Sequence, residues 1–423
     1  MFAVKSLSPQ PLYRWRNQLG GCLVLAALLP YTVRWLTLSS TAYLLPLHIT
    51  LAGSAAAIFL GTWLFRSITT YPGAEASSYI LPVFSVAYGV LAMAFIVARL
   101  DYNIPLLVAG YFISLAWFFW LVAILRGRQA LRIGVVAMVD GQQLPSVRGI
   151  HWIAIATPAC GFDGLDAVTT DLRQDLPDEW DRKLTDLALA GVPVYHFKHL
   201  AESLTGRVEL EHLSENSFGS LSPVSAYMSI KHAADWVAAL VCGILFLPAL
   251  LIIAVAIKFS SPGPVLFRQT RVGYRGQRFT VFKFRTMRIT PPGEADGRTL
   301  AMTQTDDQRI YPLGRFLRTS RLDELPQIIN VLRGEMSWIG PRPEAEVLSE
   351  WYEREIPFYR YRHIVRPGIA GWAQVCQGHV VEVEDVRSKL HYDFYYIKNY
   401  SLWLDLLIAM KTVRIMVTGH GSK

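Results

Sequence analysis

The sequence predicts a membrane protein in which an α-helical N-terminal region is followed by a small α/β domain and a basic C-terminal region. The first observation is composition: the 423 residues are 52% hydrophobic and 17% charged, whereas an ordinary globular protein is about 25% charged. The second is that the apolar residues are concentrated in five blocks. The third is the net charge of +8, from 41 Lys and Arg against 33 Asp and Glu. A disordered chain is excluded, and nucleic acid, acidic lipid and phosphorylated substrates are the candidate partners.

The first four apolar blocks predict a four-helix transmembrane region over residues 1–128. They cover residues 20–36, 44–65, 79–98 and 104–125. A helix needs about 20 mostly apolar residues to span a bilayer. Buried helices of a soluble protein are the less favoured alternative. A cleaved signal peptide is an alternative for the first block alone, but no small-residue cleavage site follows it, so we expect a retained anchor.

The charges beside these blocks predict their orientation. Basic residues precede the first block and follow the second and the fourth, namely Lys5, Arg14, Arg16, Arg66, Arg126, Arg128 and Arg132. The loops on the other side hold only Arg34, Arg99 and Asp101. Because cytoplasmic loops carry an excess of Lys and Arg, we expect the N-terminus and the chain after residue 125 to lie in the cytoplasm.

Short β-like runs alternate with a helix-like stretch over residues 129–226. The runs cover residues 132–139, 151–157 and 192–197, and the helix-like stretch covers residues 177–190. This alternation predicts a small cytoplasmic α/β domain. Dinucleotide binding is not supported, because no G-x-G-x-x-G follows the first run. His196 and His199 lack a metal-ligand pattern, and we expect them to be structural.

The fifth apolar block, residues 236–257, is long enough to span a bilayer but has basic residues on both sides. Lys231 precedes it, and residues 262–288 contain many basic residues and no acidic one. Both flanks therefore resemble cytoplasmic segments. Pro248 lies near the middle, where it removes a helix hydrogen bond and favours a kink. We expect a re-entrant helix–break–helix over residues 232–260; a kinked fifth span is the alternative.

Basic and aromatic residues alternate over residues 268–288. This pattern occurs in proteins that bind single-stranded nucleic acid. Its position directly after a membrane segment favours anionic headgroups or a phosphorylated lipid instead, and a solvated basic hairpin is the structural alternative. The four cysteines are scattered and form no C-x-x-C or zinc spacing, so we expect free thiols.

Two adjacent carboxylates, Asp323 and Glu324, precede a helix-like run, with Arg318 and Arg321 close by. One interpretation is structural, because Ser320 and Asp323 have capping-box spacing. The other is a phosphate site, in which a helix N-terminus and arginines bind phosphate oxygens. One carboxylate would then attack phosphorus while the other holds Mg²⁺.

Two later loops each set an arginine between turn-forming residues. They are Trp338-Ile-Gly-Pro-Arg-Pro-Glu344, which contains Arg342, and Arg366-Pro-Gly-Ile-Ala-Gly-Trp-Ala-Gln374. Pro and Gly fix the shape of such loops and hold the guanidinium ready for an anion.

From about residue 230 onwards the sequence resembles the bacterial sugar transferase family. These are monotopic polyprenyl-phosphate phosphoglycosyl transferases that start exopolysaccharide, capsule and O-antigen synthesis. The matching motifs occur in the same order and spacing: Pro262-Gly-Pro-Val-Leu-Phe267, Arg271-Val-Gly273, Lys283-Phe-Arg-Thr-Met287, Leu322-Asp-Glu-Leu-Pro-Gln327, Gly334-Glu-Met-Ser-Trp-Ile-Gly-Pro-Arg-Pro343, Arg366-Pro-Gly-Ile-Ala-Gly-Trp-Ala-Gln-Val375, Asp393-Phe-Tyr-Tyr-Ile397 and Leu402-Trp-Leu-Asp405.

The resemblance implies an α+β monotopic catalytic domain over residues 227–423, which includes the re-entrant helix. The four spans and the small domain, expected to be Rossmann-like, resemble the large members of the family in architecture. By the same resemblance we expect a multi-pass protein of the bacterial inner membrane, with its catalytic domain on the cytoplasmic face, and a homodimer.

The resemblance also implies a two-step reaction. Asp323 would attack the β-phosphate of a UDP-hexose, typically UDP-glucose or UDP-galactose, and release UMP. Undecaprenyl phosphate would then take up the phosphosugar. Glu324 would bind Mg²⁺, and Arg342, between Pro341 and Pro343, would hold the nucleotide or its phosphates. Further candidates for binding donor or lipid phosphate are Lys283, Arg285, Arg318, Arg321 and Arg366.

Membrane lipid is therefore an expected partner and nucleic acid is not. A non-catalytic scaffold with the same fold is the alternative, which the intact Asp323–Glu324 pair disfavours. One loop departs from the family pattern: many relatives follow Trp-Ala-Gln-Val with Asn-Gly-Arg, and here Cys376-Gln-Gly-His379 stands there. The family resemblance therefore does not predict a contact between this loop and the nucleotide or sugar. No residue of the sequence indicates which hexose is used.

Overall fold

A computed structural model describes residues 14–37, 43–69, 76–126, 131–136, 144–147, 149–159, 164–171, 176–208, 225–288, 309–377 and 383–418. Lys5, Arg128, Cys160 and His379, which the sequence predictions named, lie outside these ranges. The chain divides into two compact units, Met1–Gly206 and Arg207–Lys423.

Four long apolar helices begin the first unit. They are α1 (Trp15–Leu36), α2 (Leu44–Thr69), α3 (Ala76–Val97) and α4 (Ile104–Arg126). Their bounds lie within a turn or so of the four apolar blocks. Together with one helix of the second unit, they are the helices of the described chain that are long and apolar enough to cross a membrane. We therefore treat the chain as a membrane protein.

Several polar side chains inside this helical region are hydrogen-bonded, as a low-dielectric surrounding favours. The Ser114 hydroxyl lies 3.2 Å from the Tyr88 hydroxyl and donates to the Gly110 carbonyl at 2.7 Å. Arg66 donates to the Gln18 side chain at 3.2 Å. The Ser114–Tyr88 and Arg66–Gln18 contacts connect different helices and contribute to their packing.

A four-stranded parallel sheet follows in the first unit. Its strands are β1 (Leu131–Val136), β2 (Ile150–Ile155), β3 (Ala167–Thr170) and β4 (Val194–His196), in the order β2-β1-β3-β4. Helices α5 (Asp178–Leu189) and α6 (Phe197–Thr205) accompany it. The core between sheet and α5 contains Val168, Trp180 and Leu184. The predicted alternation of strands and helix is present in the structure. The sequence patterns predicted three of the four strands and did not predict β3.

His196 has a structural role, as expected. Its Nδ1 accepts a hydrogen bond from the backbone N–H of Lys198 at 3.1 Å and so caps the start of α6. Its Nε2 lies 3.2 Å from Asp171. His199 lies 3.8 Å from Glu202 on the same helix.

The fifth apolar block forms α7 (Ser225–Ser260), which begins earlier than the predicted residue 232. Pro248 lies inside it, and the helix is continuous through that position. The expected helix–break–helix is therefore not present as a gap in helical structure. A proline can bend a helix while leaving most of its hydrogen bonds intact. A proline in the sequence therefore need not interrupt the helix in the structure.

The early start of α7 follows from tertiary contacts of its polar first turns. Lys231 Nζ lies 3.0 Å from Asp405 and 3.4 Å from Asp235. Asp405 also accepts hydrogen bonds from Tyr227 and Tyr396, each at 2.8 Å. Lys231 and Asp405 pair with each other and with three further residues, so this network holds the first turns of α7 against the C-terminal helices that contain Tyr396 and Asp405.

Both halves of α7 pack against the same folded unit. Ala239 contributes to a core cluster with Ile328 and Val331, whereas Ile257 packs with Phe284 and Leu317. Between these contacts the helix exposes large apolar side chains, such as Ile244 and Leu245, each 68% exposed. The exposed middle and the two anchored ends determine how α7 can meet a bilayer.

The second unit combines small sheets with short helices. An antiparallel hairpin consists of β5 (Leu266–Val272) and β6 (Arg278–Phe284), and a parallel pair of β7 (Ser337–Ile339) and β8 (Gly368–Ala370). The helices are α8 (Pro312–Thr319), α9 (Ile328–Leu332), α10 (Glu346–Glu355), α11 (Trp372–Cys376), α12 (Val383–Lys398) and α13 (Leu402–Thr418), with 3₁₀ helices at Leu322–Gln327 and Tyr359–Ile364.

Candidate active site

Asp323 and Glu324 lie on the 3₁₀ helix Leu322–Gln327, between α8 and α9. Arg321 precedes this helix in the left-handed conformation, with φ of 59°, so the chain turns sharply before the two acids. The Ser320 hydroxyl donates to the Phe316 carbonyl at 2.8 Å and gives the helix no cap. The capping-box interpretation is therefore wrong, and the two acids are not at the start of a long α-helix.

Glu324 is surrounded by cations. Lys283 Nζ and an Arg342 guanidinium nitrogen each lie 2.9 Å from its Oε1, and Arg321 lies 3.9 Å from the same atom. Burial alone would raise the pKa of Glu324, but Arg342, Lys283 and Arg321 outweigh burial and hold that pKa well below its usual range. Glu324 is therefore a fixed, ionised carboxylate.

Asp323 has the opposite electrostatics. It is 8% exposed, and its Oδ1 is buried with no hydrogen-bond partner among the described residues. Burial first, and the Glu324 carboxylate second, raise the pKa of Asp323 to about 6, although Lys283, Arg342 and Arg318 oppose the shift. Near neutral pH Asp323 is an ionised carboxylate with an oxygen free to form a new bond.

The hairpin and a later loop supply the cations. Lys283 is on β6, and burial followed by the charge of Arg342 lowers the pKa of Lys283 to about 8. Arg342 is in the loop after β7, and the Glu324 carboxylate raises the pKa of Arg342. The loop begins at Gly340, where a Cβ would overlap the backbone of Arg366, so only glycine allows the approach of the two chain segments.

Two further arginines hold consecutive backbone carbonyls, those of Arg342 and Pro343. Arg362 donates to the Arg342 carbonyl at 2.8 Å and to Asp393 at 2.9 Å. Arg271 donates to the Pro343 carbonyl. Because each carbonyl is held from a different element, the guanidinium of Arg342 is kept in place beside Glu324.

The residue after this loop is part of the same buried layer. Glu344 lies 2.5 Å from Lys389. Burial opposes its ionisation, but Lys389 and Arg362 hold the pKa of Glu344 below its usual range. The Arg362–Asp393 and Lys389–Glu344 pairs therefore form a buried, charge-balanced support beneath the loop.

Comparison with known proteins places these residues in a family. A relative from Aeromonas hydrophila, UDP-N-acetylgalactosamine-undecaprenyl-phosphate N-acetylgalactosaminephosphotransferase, is 44% identical over 376 residues, which is 88% of this chain and 88% of the relative. Residues 226–419 match the family model described as bacterial sugar transferase. The chain belongs to the bacterial sugar transferase family. It is an enzyme family, and every residue of the site described above falls inside the matched segment.

Other relatives are similar over the C-terminal part. The UDP-glucose:undecaprenyl-phosphate glucose-1-phosphate transferase of Caulobacter vibrioides is 45% identical over 194 residues, which is 45% of this chain and 71% of that protein. The enzyme of the same name from Escherichia coli K12 is 45% identical over 186 residues, 44% of this chain and 39% of that protein.

For this sugar transferase the structure brings together some of the predicted site residues. Lys283, Arg321 and Arg342 contact Glu324, and Pro341 and Pro343 flank Arg342 in the loop. Arg318 donates to the Thr286 hydroxyl at 2.9 Å, and its charge acts on Asp323.

Two predicted residues have other partners. Arg285 is buried and donates to the carbonyls of Ser261 and Pro262, each at 2.6 Å, so its guanidinium supports the turn after α7. Arg366 lies over the Tyr274 ring, with 5.9 Å between its Cζ and the ring centroid.

Three residues of the sugar transferase site, Arg271, Glu344 and Arg362, were not predicted. Arg271 begins one of the family motifs and Glu344 directly follows another. Their place in the motifs could have identified both as candidate site residues. Arg362 follows a run of aromatic residues, and nothing in its sequence surroundings distinguishes it.

The site residues are suitable for Mg²⁺ only together with a substrate. No group of three or more His, Cys, Asp or Glu side chains within the described ranges could hold a metal ion. Mg²⁺, however, takes one or two carboxylates together with substrate phosphates and water. The oxygen of Glu324 other than the ion-paired Oε1 is such a carboxylate ligand, so Glu324 fits the metal when a diphosphate is bound.

Proposed function

We propose that this sugar transferase moves a sugar-1-phosphate from a UDP-sugar to undecaprenyl phosphate, as the first membrane step in the synthesis of a polysaccharide. The names of its relatives support both substrates. The observation that carries the proposal is the unequal pair: Asp323 has a buried, unpartnered oxygen, and Glu324 beside it is fixed by Lys283 and Arg342.

In the first step an Asp323 oxygen attacks the phosphorus that bears the sugar. A bond forms between that oxygen and phosphorus, and the bond from phosphorus to the bridging oxygen of the diphosphate breaks. UMP leaves with the electron pair, and the phosphosugar remains bound to Asp323 as an acyl phosphate. Arg342 and Lys283 are placed to stabilise the negative charge on the phosphate oxygens.

In the second step the phosphate of undecaprenyl phosphate attacks the same phosphorus. The bond to Asp323 breaks, its carboxylate is regenerated, and undecaprenyl-diphospho-sugar is released. A covalent intermediate divides one difficult substitution into two easier ones. When Mg²⁺ is bound by Glu324, it supplies charge neutralisation at the diphosphate.

The bilayer arrangement that best supports this reaction is a re-entrant α7. Ala239 and Ile257 belong to opposite halves of the helix, and both are buried against the same unit. A straight helix of 36 residues rises about 54 Å and would carry one end away from a domain on one membrane face. We therefore propose that α7 enters and leaves the cytoplasmic leaflet of the inner membrane, and that the site faces the cytoplasm.

Two finer proposals concern the remaining regions. The parallel strand order β2-β1-β3-β4 supports a Rossmann-like small domain. The four N-terminal helices would be full spans, with a homodimer as the expected assembly by resemblance to the large family members.

A screen of UDP-sugar donors would identify the sugar that the enzyme transfers. The relative aligned along most of the chain is named for N-acetylgalactosamine, whereas those aligned over the C-terminal part are named for glucose. We therefore rank UDP-N-acetylgalactosamine first.

The test uses the purified full chain with undecaprenyl phosphate, Mg²⁺ and each of UDP-N-acetylgalactosamine, UDP-glucose and UDP-galactose, with UMP release as the readout. We expect release with at least one donor, and none from Asp323→Asn. No release with any UDP-sugar would overturn the proposal and favour a non-catalytic scaffold.

A further inference from the structure

Two arginines on the hairpin side of the second unit converge on one aromatic ring. The Cζ atoms of Arg268 and Arg333 lie 5.7 Å and 5.0 Å from the centroid of the Phe282 ring. Both arginines are exposed, and the ring between them is 9% exposed. In the part of the chain that the structure describes, neither guanidinium is ion-paired with a carboxylate. Two unneutralised cations held this close to one ring repel each other, so an anion bound between them would be stabilised.

Arg268 and the Phe282 ring lie on the face of the hairpin opposite to Lys283 and the catalytic acids, and Arg333 approaches the same ring. In the hairpin register Arg268 is opposite Phe282, and Phe267 is opposite Lys283. Neighbouring residues of a strand point to opposite faces, and Lys283 points towards Glu324. The pair therefore belongs to neither the donor site nor the reacting phosphate.

The same face of the hairpin leads directly to the membrane helix. The preceding pair on that face, Leu266 opposite Phe284, packs in the cluster that contains Ile257 of α7. Same-face neighbours on a strand are about 7 Å apart. The arginine pair is thus one side-chain step from the residues that pack on the apolar helix, so the headgroup of a lipid lying beside that helix would be within reach of both side chains.

Arg333 approaches α7 from a second element. It directly follows α9, whose Ile328 and Val331 pack against Ala239 in the other half of α7. The two guanidinium groups therefore approach the surroundings of α7 from two directions.

We propose that Arg268 and Arg333, arranged about Phe282, form a binding site for the phosphate of an anionic membrane phospholipid. Guanidinium groups donate several parallel hydrogen bonds to phosphate oxygens, and the apolar chains of such a lipid would lie along the exposed side of α7. The site holds the catalytic unit on an anionic membrane surface and does not take part in the transfer reaction.

Arg278 provides a matched control on the same face of the hairpin. Its guanidinium lies 2.5 Å from Glu346 and 3.2 Å from Glu350. Because two carboxylates already neutralise it, Arg278 is expected to contribute little to lipid binding, although its charge and chain length equal those of Arg268.

The test is native mass spectrometry of the detergent-purified full chain with added phosphatidylglycerol or phosphatidylcholine. Each arginine beside an anionic membrane surface contributes about 1 kcal/mol, so the Arg268→Gln/Arg333→Gln variant, which loses two of them, should retain phosphatidylglycerol about thirtyfold less than the unmodified chain. Arg278→Gln should retain it normally, and phosphatidylcholine should not respond to either change.

Undecaprenyl phosphate in the same measurement distinguishes the two sources of lipid phosphate. Loss of phosphatidylglycerol from the double variant supports the proposal, whether or not undecaprenyl phosphate is also lost. Normal retention of phosphatidylglycerol, or a loss confined to undecaprenyl phosphate, overturns it. A loss of equal size in Arg278→Gln would also overturn it, because the effect would then reflect surface charge alone.

Discussion

Asp323 and Glu324 are neighbours on one turn of 3₁₀ helix, and the three ion pairs around them all end on Glu324 Oε1. The two carboxyl groups are almost equally buried, so burial does not explain why their pKa values move in opposite directions. The difference arises from where the cations are placed. This division gives one acid a fixed charge and leaves the other available for bond formation.

The pair should respond to neutralisation with opposite changes in stability. The pKa of Asp323 is raised to about 6 from 3.8, so its ionised form costs folding free energy in full above pH 6, and that cost shrinks as pH falls from 6 towards 3.8. Asp323→Asn should therefore abolish turnover and raise the free energy of unfolding at pH 8 by about 1–3 kcal/mol. Thermal unfolding in detergent measures the change in stability. An unfolding temperature of Asp323→Asn below that of the unmodified chain would contradict the electrostatic explanation.

Glu324→Gln should be destabilising. The change leaves Lys283, Arg342 and Arg321 without their shared carboxylate, and the loss of one partner from a buried ion pair costs about 3–5 kcal/mol. The Mg²⁺ concentration needed for half-maximal activity should also rise in any folded fraction. Thermal unfolding of Asp323→Asn is the reference for stability and the unmodified chain is the reference for Mg²⁺ dependence; equal unfolding temperatures of the two variants would contradict the assignment.

The acid side of the activity profile should report Asp323. A protonated carboxyl group is not a nucleophile, so kcat/KM should fall as pH decreases through about 6. Glu324 stays ionised over this range, because its pKa is held well below the usual value. An acid limb near pH 4 would show that Asp323 has an ordinary pKa.

The alkaline side should report Lys283. The pKa of Lys283 is lowered to about 8, so Glu324 and the donor phosphates lose a positive partner as pH rises through 8. Lys283→Arg should extend the alkaline limb upward, because arginine keeps its charge. If the alkaline limb of Lys283→Arg matched that of the unmodified enzyme, another group would be responsible.

Arg362 should act as a positioning residue through Arg342. Arg362→Lys keeps the charge opposite Asp393 but removes the planar fork that reaches the Arg342 carbonyl. We expect kcat to fall about tenfold to a hundredfold, with a smaller change in the KM for the UDP-sugar. Arg360→Lys is the matched control, because Arg360 is 80% exposed. Equal kcat values for both variants would mean that Arg362 has only a structural role.

Arg285 should matter for stability and little for substrate binding. Its two short hydrogen bonds go to the carbonyls of Ser261 and Pro262. Arg285→Met should lower the unfolding temperature, because two buried carbonyls lose their donors, and should leave the KM for the UDP-sugar unchanged. A selective increase in that KM would instead support the phosphate-binding role expected from the family resemblance.

The sequence predicted those features that depend on local pattern. The bounds of α2, α3 and α4 lie close to the apolar blocks because hydrophobic length is directly visible. The strand β3, Ala167–Thr170, has four residues that are all buried, so no apolar–polar alternation was available to reveal it.

What could not be predicted from the sequence depends on contacts between distant residues. The first turns of α7 are polar, and they are helical because Lys231 and Tyr227 bond to Asp405, which is 174 to 178 positions away. Arg285 and Lys283 are two residues apart and look equivalent as phosphate ligands. In the fold Arg285 donates to backbone carbonyls and Lys283 pairs with Glu324. Only the tertiary structure shows that difference.

The covalent intermediate is the central claim, and intact-protein mass spectrometry tests it most directly. The full chain would be incubated with the UDP-sugar and Mg²⁺ without undecaprenyl phosphate, and the adduct located by peptide mapping. The account predicts a mass increase equal to one phosphosugar on the peptide that contains Asp323, lost when undecaprenyl phosphate is added and absent from Asp323→Asn. An adduct on another residue, or one that persists in Asp323→Asn, would contradict it.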